Sequence, residues 1–538
     1  MLSVSAHSDT FCRDNLPPEA DWPEFLTELP ELRYPERLNC AVELLDRSIE
    51  RFGADRTCVI GEDASWTYGE LGDLVNRVAC VLVDDLGVQP GNRIILRGYN
   101  NPWTMACWLA VVKAGAVAVT TMPLLRRIEL TKLVDLTRPA VVLCDHRLRH
   151  DVDLVDGDFT VVEVGGLSAG DLTVRAAAKP ADFTAVDTAA DDVVLLAPTS
   201  GTTGKPKATM HFHRDVLANA DTFAKFVVKP HADDVFIGSP PVGFTFGLGG
   251  LVIFPLRVGA ATVLIEKPSP SALAEAIQKH RATVLFTAPT AYGALIRGGH
   301  LGCLRSLRRC VSAGEHLTAA LWQEFNDATG IRIIDGIGGT ELLHVFISAS
   351  DDQVKPGAIG KAVPGFRAEI QDQDGNQVPD GHPGLLAVKG PTGCRYLADE
   401  RQRNFVRNGW NMTGDTCTRD GEGYFWYHGR SDDMIVSSGY NIAAPEVESV
   451  LDTHPDIVES AVVGLPDAQR GMVVHASIVL RQGVADDGAK VREIQDFFKS
   501  AAAPYKYPRS ITFVRSLPRT DSGKVQRFQI RGELNGAP

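Results

Sequence analysis

The sequence predicts an α/β protein: a large N-terminal domain with mostly parallel sheets and a small β-rich subdomain, followed by a small α+β C-terminal domain. Three observations carry this reading. Short apolar runs alternate with helical patterns through the first two thirds of the chain. After Gly357 the texture turns to glycine, proline and short alternating runs. The polar segment Gly429-Arg430-Ser431-Asp432-Asp433 then separates that stretch from a compact α+β unit. Strands alternating with helices mark parallel sheets. At 538 residues the chain exceeds what one core can fill, so two or more domains are expected.

The elements follow in order. Ser65-Trp66-Thr67-Tyr68 is a helix start signal, and Leu71 to Val83 carries apolar residues at helical spacing. Arg93 to Leu96 and Pro139 to Cys144 read as strands. The apolar stretch Thr104 to Leu125 is interrupted by Lys113, Gly115 and Pro123, and suits a helix followed by a buried strand better than a membrane span. The alanine-rich tract from about Asp151 to Asp192 reads as a surface excursion. Val193 to Ala197, Val284 to Thr287 and Ile331 to Ile334 are further short apolar strands. Leu385 to Val388 belongs to the β-rich subdomain, which is expected to end near His428. Beyond it come a helix at Pro445 to Asp452, a strand at Ala461 to Val463, a helix at Val491 to Ala501 and a strand at Ile511 to Val514. The domains are therefore expected at 1–430 and 431–538.

Composition narrows the function. Apolar residues make up 44% and charged residues 22%, as in ordinary globular proteins. The 54 basic and 67 acidic residues give a net charge of −13, which argues against nucleic acid or an anionic membrane as partner. The ten cysteines show no C-x-x-C spacing, so neither a zinc site nor a redox motif is indicated. They read as reduced thiols of a cytoplasmic protein. The N-terminal segment with Asp9, Arg13, Asp14, Pro17 and Pro18 has no signal-peptide pattern.

The most informative segment is Thr199-Ser200-Gly201-Thr202-Thr203-Gly204-Lys205-Pro206-Lys207, which follows a buried strand. Its glycines let backbone N–H groups face a phosphate, its hydroxyls donate to phosphate oxygens and its lysines supply charge. It is not a Walker loop. Thr199 stands where the first glycine is needed, and Lys205 is followed by Pro206, which lacks an N–H and pushes Lys205 out of the helical region.

Four further motifs follow. Asp335-Gly336-Ile337-Gly338-Gly339-Thr340-Glu341 offers bare backbone to a flat ligand and a hard carboxylate suited to Mg²⁺. Thr413-Gly414-Asp415 precedes Gly429-Arg430. Arg430-Ser431-Asp432-Asp433 leads into Ser437-Ser438-Gly439-Tyr440-Asn441. Pro518-Arg519-Thr520-Asp521-Ser522-Gly523-Lys524-Val525-Gln526-Arg527 is a polar loop with one lysine after Ser-Gly. Taken singly, each reads equally as a turn or linker. In this order the five motifs resemble those of the adenylate-forming superfamily, which comprises acyl- and aryl-CoA synthetases, luciferases and the adenylation domains of peptide synthetases.

That resemblance implies ATP, Mg²⁺ and coenzyme A as co-substrates and activator. It implies that Thr199 to Gly204, Gly314, Glu315, Asp335, Gly336, Ile337, Thr340, Asp415 and Arg430 bind the nucleotide. Glu341 would ligate the metal, and Lys524, Glu341 and Lys205 would serve the chemistry. Asp432 would be the hinge of a mobile C-terminal domain, and Ser437, Ser438 and Gly439 would pass the thiol chain of coenzyme A. An aromatic residue often lies against adenine where this chain has Ile337, a departure shared with the benzoate-type branch.

Two segments are expected to line the acid pocket. Phe244, Thr245 and Phe246 place two rings about a small hydroxyl, and Gly338 and Gly339 offer bare backbone opposite, a slot suited to a flat ring. His344 stands three residues beyond Glu341, which on a helix would put both on one face. Thr340-Glu341-Leu342-Leu343-His344 resembles benzoate-CoA ligases. Lys207 to Asp215 and the opening Asp9 to Pro18 resemble 2-aminobenzoate-CoA ligases. The resemblance implies an aromatic carboxylic acid as substrate, 2-aminobenzoate first and benzoate next, with a monomer or homodimer as the working form. A stand-alone carrier protein as acceptor, a medium-chain acyl-CoA synthetase and a non-catalytic nucleotide-binding protein remain the alternatives.

Overall fold

The computed structural model describes residues 2–199, 206–430, 434–518, 525 and 527–534. Four sheets organise them. The first is six-stranded, in the order Thr160–Val164, Val141–Asp145, Arg93–Arg97, Val117–Thr121, Val193–Thr199, Lys207–Phe212. Its strands are parallel except for the last pair. Parallel strands are covered on both faces and so read as unbroken apolar runs, which is why Val193 to Ala197 is buried at every position.

Joining parallel neighbours requires a crossover. Helix Pro102–Lys113 makes it between Arg93–Arg97 and Val117–Thr121. Asn101 caps that helix by accepting from the Thr104 N–H, and Pro102 sits in the first turn, where no N–H is needed. Nearly the whole helix is buried and Trp108 is wholly so. Each such apolar side chain contributes roughly 1.5–3 kcal/mol on leaving water.

The second sheet has nine strands, ordered Lys361–Ala362, Val345–Ser348, Ile333–Gly338, Arg309–Ser312, Val284–Thr287, Val235–Gly238, Ala261–Val263, Thr57–Ile60, Ser65–Thr67. It is parallel at its centre and antiparallel at both ends. A third, antiparallel sheet from Arg367–Gln371 to Phe425–Arg430 forms the β-rich subdomain. The fourth joins Met434–Ser437, Tyr440–Ala443, Ile457–Asp467, Gly471–Leu480 and Ser510–Phe513. Helices Ala444–Leu451 and Gly488–Ala501 pack on it through Val447, Leu451, Ile494 and Phe498. The architecture is therefore a large mixed-sheet N-terminal domain with a smaller α+β C-terminal domain.

Several elements differ from expectation. The helix expected at Leu71 to Val83 starts at Tyr68, where Thr67 and Glu70 form a reciprocal capping box, and after Cys80 it widens into π turns through Asp85. The tract from Asp151 to Asp192 is not wholly an excursion. Thr160–Val164 joins the first sheet as its edge strand, with Val162 and Val164 turned into the core. The strand expected at Ile331 to Ile334 runs from Ile333 to Gly338, so the glycine-rich motif is itself extended backbone. No helix among the described residues is long and apolar enough to cross a membrane. All ten cysteines are free thiols.

Candidate active site

Strand Val193–Thr199 delivers the chain into the phosphate-type loop, and strand Lys207–Phe212 receives it, with Thr199 paired to Lys207. The buried Thr199 hydroxyl has no partner among the described residues. Ser200, Gly201, Thr202, Thr203, Gly204 and Lys205 lie outside the described residues, as do Asp432 and Lys524. The geometry at the loop's exit is well defined. Lys207 Nζ lies 3.0 Å from Glu341 Oε1. The same ammonium donates to the Tyr396 hydroxyl, which in turn donates to Glu341. Burial opposes ionisation of Glu341, but the Lys207 charge and the hydrogen bonds outweigh it and bring the carboxyl down to about 2. Glu341 is thus a carboxylate at neutral pH.

Glu341 does not sit on a helix with His344. Thr340–Leu342 is a single 3₁₀ turn, and Leu343 adopts a φ of 71°, which ends it. The physical reason is the hairpin. Strands Ile333–Gly338 and Val345–Ser348 pair antiparallel, Gly338 faces Val345, and the intervening residues must reverse direction at once. The turn therefore sends Glu341 toward Lys207 and sends His344 into the core. Thr392 Oγ1 donates to the Leu342 carbonyl at 2.7 Å and fixes the turn from outside.

Beneath the turn lies a buried polar chain. His211 Nε2 contacts the Thr340 carbonyl oxygen at 2.8 Å. Burial lowers the His211 pKa to about 4, so the ring is neutral and its Nε2–H donates. Asp215 stands 3.9 Å from His211 Nδ1, and Arg395 closes on Asp215 at 2.8 Å, all of them fully buried. The Arg395 guanidinium is covered by the rings of Phe212, Phe25 and Trp22 at 3.9, 4.6 and 5.5 Å. A buried charge pair is costly to break, because removing one partner strands the other. This chain therefore holds the Thr340–Glu341 turn rigidly.

His344 lies in an aromatic cage, with ring centroids 4.7 Å from Phe254, 5.3 Å from Phe223, 5.4 Å from Phe246 and 6.4 Å from Phe286. Gly249 makes room for it: a Cβ there would come within 2.3 Å of the imidazole. Burial drives the His344 pKa down to about 3. The neutral ring has Nε2 3.4 Å from the Phe246 carbonyl, and Nδ1 is buried without a partner among the described residues. Phe244 precedes the short helix Thr245–Leu248, and both Phe244 and Phe246 stay partly exposed, as do Thr245, Gly338 and Gly339.

Asp335, at the start of the glycine-rich strand segment, has its carboxyl raised well above the usual range by burial, and Oδ1 has no partner among the described residues. The register pairs Gly336 with Ser348 and Ile337 with Ile347. Asp415 is buried and stands opposite Arg430 on the neighbouring strand. Gly314 and Glu315 face the C-terminal domain. Glu315 accepts from the Thr290 N–H at 3.2 Å, from the Thr290 hydroxyl at 3.3 Å and from the Gly439 N–H, while burial raises its pKa. Ser438 and Gly439 both have positive φ, 50° and 79°, and Arg470 donates to the Ser438 hydroxyl at 3.0 Å. Tyr440 stacks on Tyr505 at 4.2 Å and approaches Phe244 at 6.0 Å. In this structure the loop Ser437–Tyr440 therefore reaches both the Gly314–Glu315 corner and Phe244.

The sequence pointed to Glu341, the glycine strand and the Ser437–Gly439 loop. It missed Lys207 as the partner of Glu341. The second lysine of the loop motif was the available signal. It also gave no role to His211 and Asp215, which lie in the Lys207 to Asp215 segment, nor to Tyr396 and Arg395, which belong to no motif; the four meet only in the fold.

A profile of AMP-binding enzymes matches residues 45–396, and a profile of the AMP-binding enzyme C-terminal domain matches residues 446–524. The chain belongs to the AMP-binding enzyme family. Within this adenylate-forming superfamily it falls in the benzoate-CoA-ligase-like branch. It is 34% identical to a benzoate–CoA ligase of Thauera aromatica, across 93% of this chain and 97% of that one. The crystal structure of the anthranilate CoA ligase AuaEII with anthranoyl-AMP matches at a TM-score of 0.72 and 32% identity, covering 95% of this chain and all 100% of that one. The amide bond synthetase McbA from Marinactinospora thermotolerans matches at a TM-score of 0.83 and 28% identity, covering 92% and 99%. Like other AMP-binding enzymes of this branch, the protein is an AMP-forming acid–thiol ligase. It converts a carboxylate through an acyl-adenylate into an acyl-CoA.

Proposed function

We propose that this ligase activates an aromatic carboxylate, 2-aminobenzoate before benzoate, and transfers the aryl group to coenzyme A. The observation that carries the reading is the aromatic slot. Phe244 and Phe246 are both partly exposed, as are Gly338 and Gly339, the residues the sequence assigns to the acid pocket, and the neutral His344, 5.4 Å from the Phe246 ring, has a buried Nδ1 without a partner among the described residues. A flat ring fills such a slot with little loss of side-chain freedom, and an imidazole lone pair accepts from an ortho-amino group. The names of two relatives, a benzoate–CoA ligase and an anthranilate CoA ligase, support the same choice.

In the first half-reaction a carboxylate oxygen attacks the α-phosphorus of ATP, the O–P bond forms and pyrophosphate leaves. Anion meets anion, so positioning and cationic stabilisation do most of the work. We assign that charge to Lys205 and Lys524, with Thr199 to Gly204 cradling the phosphates and Thr340 beside them. Asp335 would accept from the purine amine across Gly336 and Ile337, and Asp415 would take the ribose hydroxyls with Arg430 alongside. An ionised carboxylate at the loop's exit is the hard-oxygen donor that Mg²⁺ takes, so Glu341 fits that ion, which would neutralise the triphosphate. In the second half-reaction the thiol sulfur attacks the carbonyl carbon, the carbon–oxygen bond to phosphate breaks and AMP leaves. Ser437, Ser438 and Gly439 would line the thiol's approach. The small domain, residues 431–538, would turn on Asp432 against residues 1–430 to exchange one set of groups for the other.

Acid-dependent ATP–pyrophosphate exchange with benzoate, 2-aminobenzoate, 2-hydroxybenzoate, hexanoate and acetate tests the assignment. Aryl acids are expected to drive exchange, with 2-aminobenzoate leading. Exchange with hexanoate or acetate alone would overturn the pocket reading.

A further inference from the structure

Glu129 is a buried carboxylate of the N-terminal domain with two tasks. Its Oε2 accepts from the Arg126 N–H at 3.0 Å, which caps helix Arg127–Thr137. Its Oε1 faces the C-terminal domain, where it accepts from the Ala503 N–H at 3.2 Å and from Lys506 Nζ at 3.4 Å. Lys506 also donates to Glu446 at 2.8 Å, within its own domain. The lysine is 3% exposed, Glu129 is 8% exposed and Ala503 is fully buried. Burial disfavours the charge on Lys506, but Tyr505, Glu446 and Glu129 outweigh it and keep the ammonium protonated. Tyr505, one residue before Lys506, is the ring on which Tyr440 stacks at 4.2 Å. Ile128 packs against the hydrophobic core of the small domain beside this contact.

We infer that Glu129 is a positioning residue for thiol transfer: its bond to Ala503 and Lys506 holds the small domain in the orientation that brings the Ser437–Tyr440 loop to the acid site. The inference rests on the proposed two-orientation cycle and deepens it by naming what secures one orientation. The logic is electrostatic. A buried N–H and a buried ammonium both need an acceptor. Glu446 serves Lys506 in either orientation, but Glu129 serves Ala503 and adds a second partner for Lys506 only while the two domains stand as they do here. Any rotation about the linker breaks the contact and returns the Ala503 N–H and Glu129 Oε1 to water while Lys506 keeps Glu446 of its own domain, so the contact weighs on one side of the equilibrium alone. Adenylation, which uses the other orientation, gains nothing from it.

The variant Glu129→Gln tests this in the full chain. Glutamine still accepts from the Arg126 N–H, so the helix cap survives, but its amide turns a donor toward Ala503 and Lys506. Acid-dependent pyrophosphate exchange is expected to stay within about twofold of wild type. Single-turnover transfer of the aryl group from supplied aryl-adenylate to coenzyme A is expected to fall roughly tenfold. Lys506→Met, alone and combined with Glu129→Gln, completes a double-mutant cycle, and the two effects should overlap rather than multiply. A readout independent of substrate is hydrogen exchange of the Ala503 amide, which should quicken in Glu129→Gln. Equal losses in both half-reactions, or unchanged transfer with unchanged Ala503 protection, overturn the inference. Wild-type protein that shows no exchange with aryl acids would instead overturn the aryl assignment. The Ala503 comparison would still judge the latch.

Discussion

Lys207 and Glu341, one on the strand leaving the phosphate-type loop and the other on the turn after the glycine strand, are joined at 3.0 Å across 134 residues of sequence, the difference 341 − 207. The pair ties the loop's exit to the carboxylate assigned to the metal. The Lys207 charge and the Tyr396 hydroxyl outweigh burial and lower the Glu341 pKa from 4.5 to about 2, so the ionised pair contributes stability that is fully present above pH 4.5. That stability is lost as pH falls through 2.

Replacing Lys207 with Met is therefore expected to lower pyrophosphate exchange roughly a hundredfold or more. It should also lower thermal stability, since a buried carboxylate loses its cation at a cost of about 3–5 kcal/mol. Tyr396→Phe removes the hydroxyl that accepts from Lys207 and donates to Glu341, two hydrogen bonds each worth about 1–2 kcal/mol, and should cost roughly tenfold or more in exchange. Both are checked by exchange rates together with calorimetry. A Lys207→Met enzyme with wild-type exchange would remove the pair from the mechanism.

His344→Leu should erase the preference for the ortho-amino ring without abolishing turnover. The ratio of kcat/KM for 2-aminobenzoate over benzoate is expected to fall roughly tenfold, the worth of one hydrogen bond. With a His344 pKa of about 3, that ratio in the wild type should be flat from pH 5 to 9. A titration near pH 6.5 in the ratio would contradict a buried neutral imidazole.

Buried neutral histidines also set an acid limit on stability. The pKa of His211 is lowered to about 4 and that of His213 to about 3, both by burial from an ordinary 6.5. Below pH 6.5 the unfolded chain takes up protons that the folded one refuses, so stability should fall with pH from 6.5 toward 4 and, for His213, on toward 3. His213 accepts the Cys40 N–H at its Nδ1, 3.1 Å away, an acceptor that Gln can replace. His213→Gln should lose some stability at pH 8 yet show a shallower decline in Tm below pH 6.5. An unchanged slope would mean that other groups govern the acid limb.

Gly439→Ala places a side chain at a φ of 79°, where the new Cβ meets only ordinary contacts with Ala288 and Glu315. The penalty is one of backbone strain, about 1–3 kcal/mol. Transfer to coenzyme A from supplied aryl-adenylate should fall roughly tenfold or more while pyrophosphate exchange is spared. Parallel losses in both assays would show that the loop serves adenylation as well.

The parts legible in the sequence were those where local chemistry and tertiary structure agree. Val193 to Ala197 reads as an interior strand and is one, and Ser65 to Tyr68 announced a helix start that the fold uses at Tyr68. The order of the five motifs was enough to reach the family. What was not legible arises from distance. Glu129 and Lys506 are 377 residues apart, and neither lies in a motif. Thr160 to Val164 was hidden by its polar surroundings, because an edge strand needs only one buried face. The helix expected at Glu341 failed because hairpin closure overrode the local spacing.

The rings of Trp22 and Phe25 cover the guanidinium of Arg395, although the family match begins only at residue 45. The opening segment thus acts as a dry roof over the far end of the Arg395–Asp215–His211 relay, more than 300 residues ahead of the turn it helps to steady. Trimming the chain to the matched region would let water reach that arginine and loosen the Thr340–Glu341 turn that the relay steadies. The smallest working unit of this ligase is accordingly larger than the region the family profile matches.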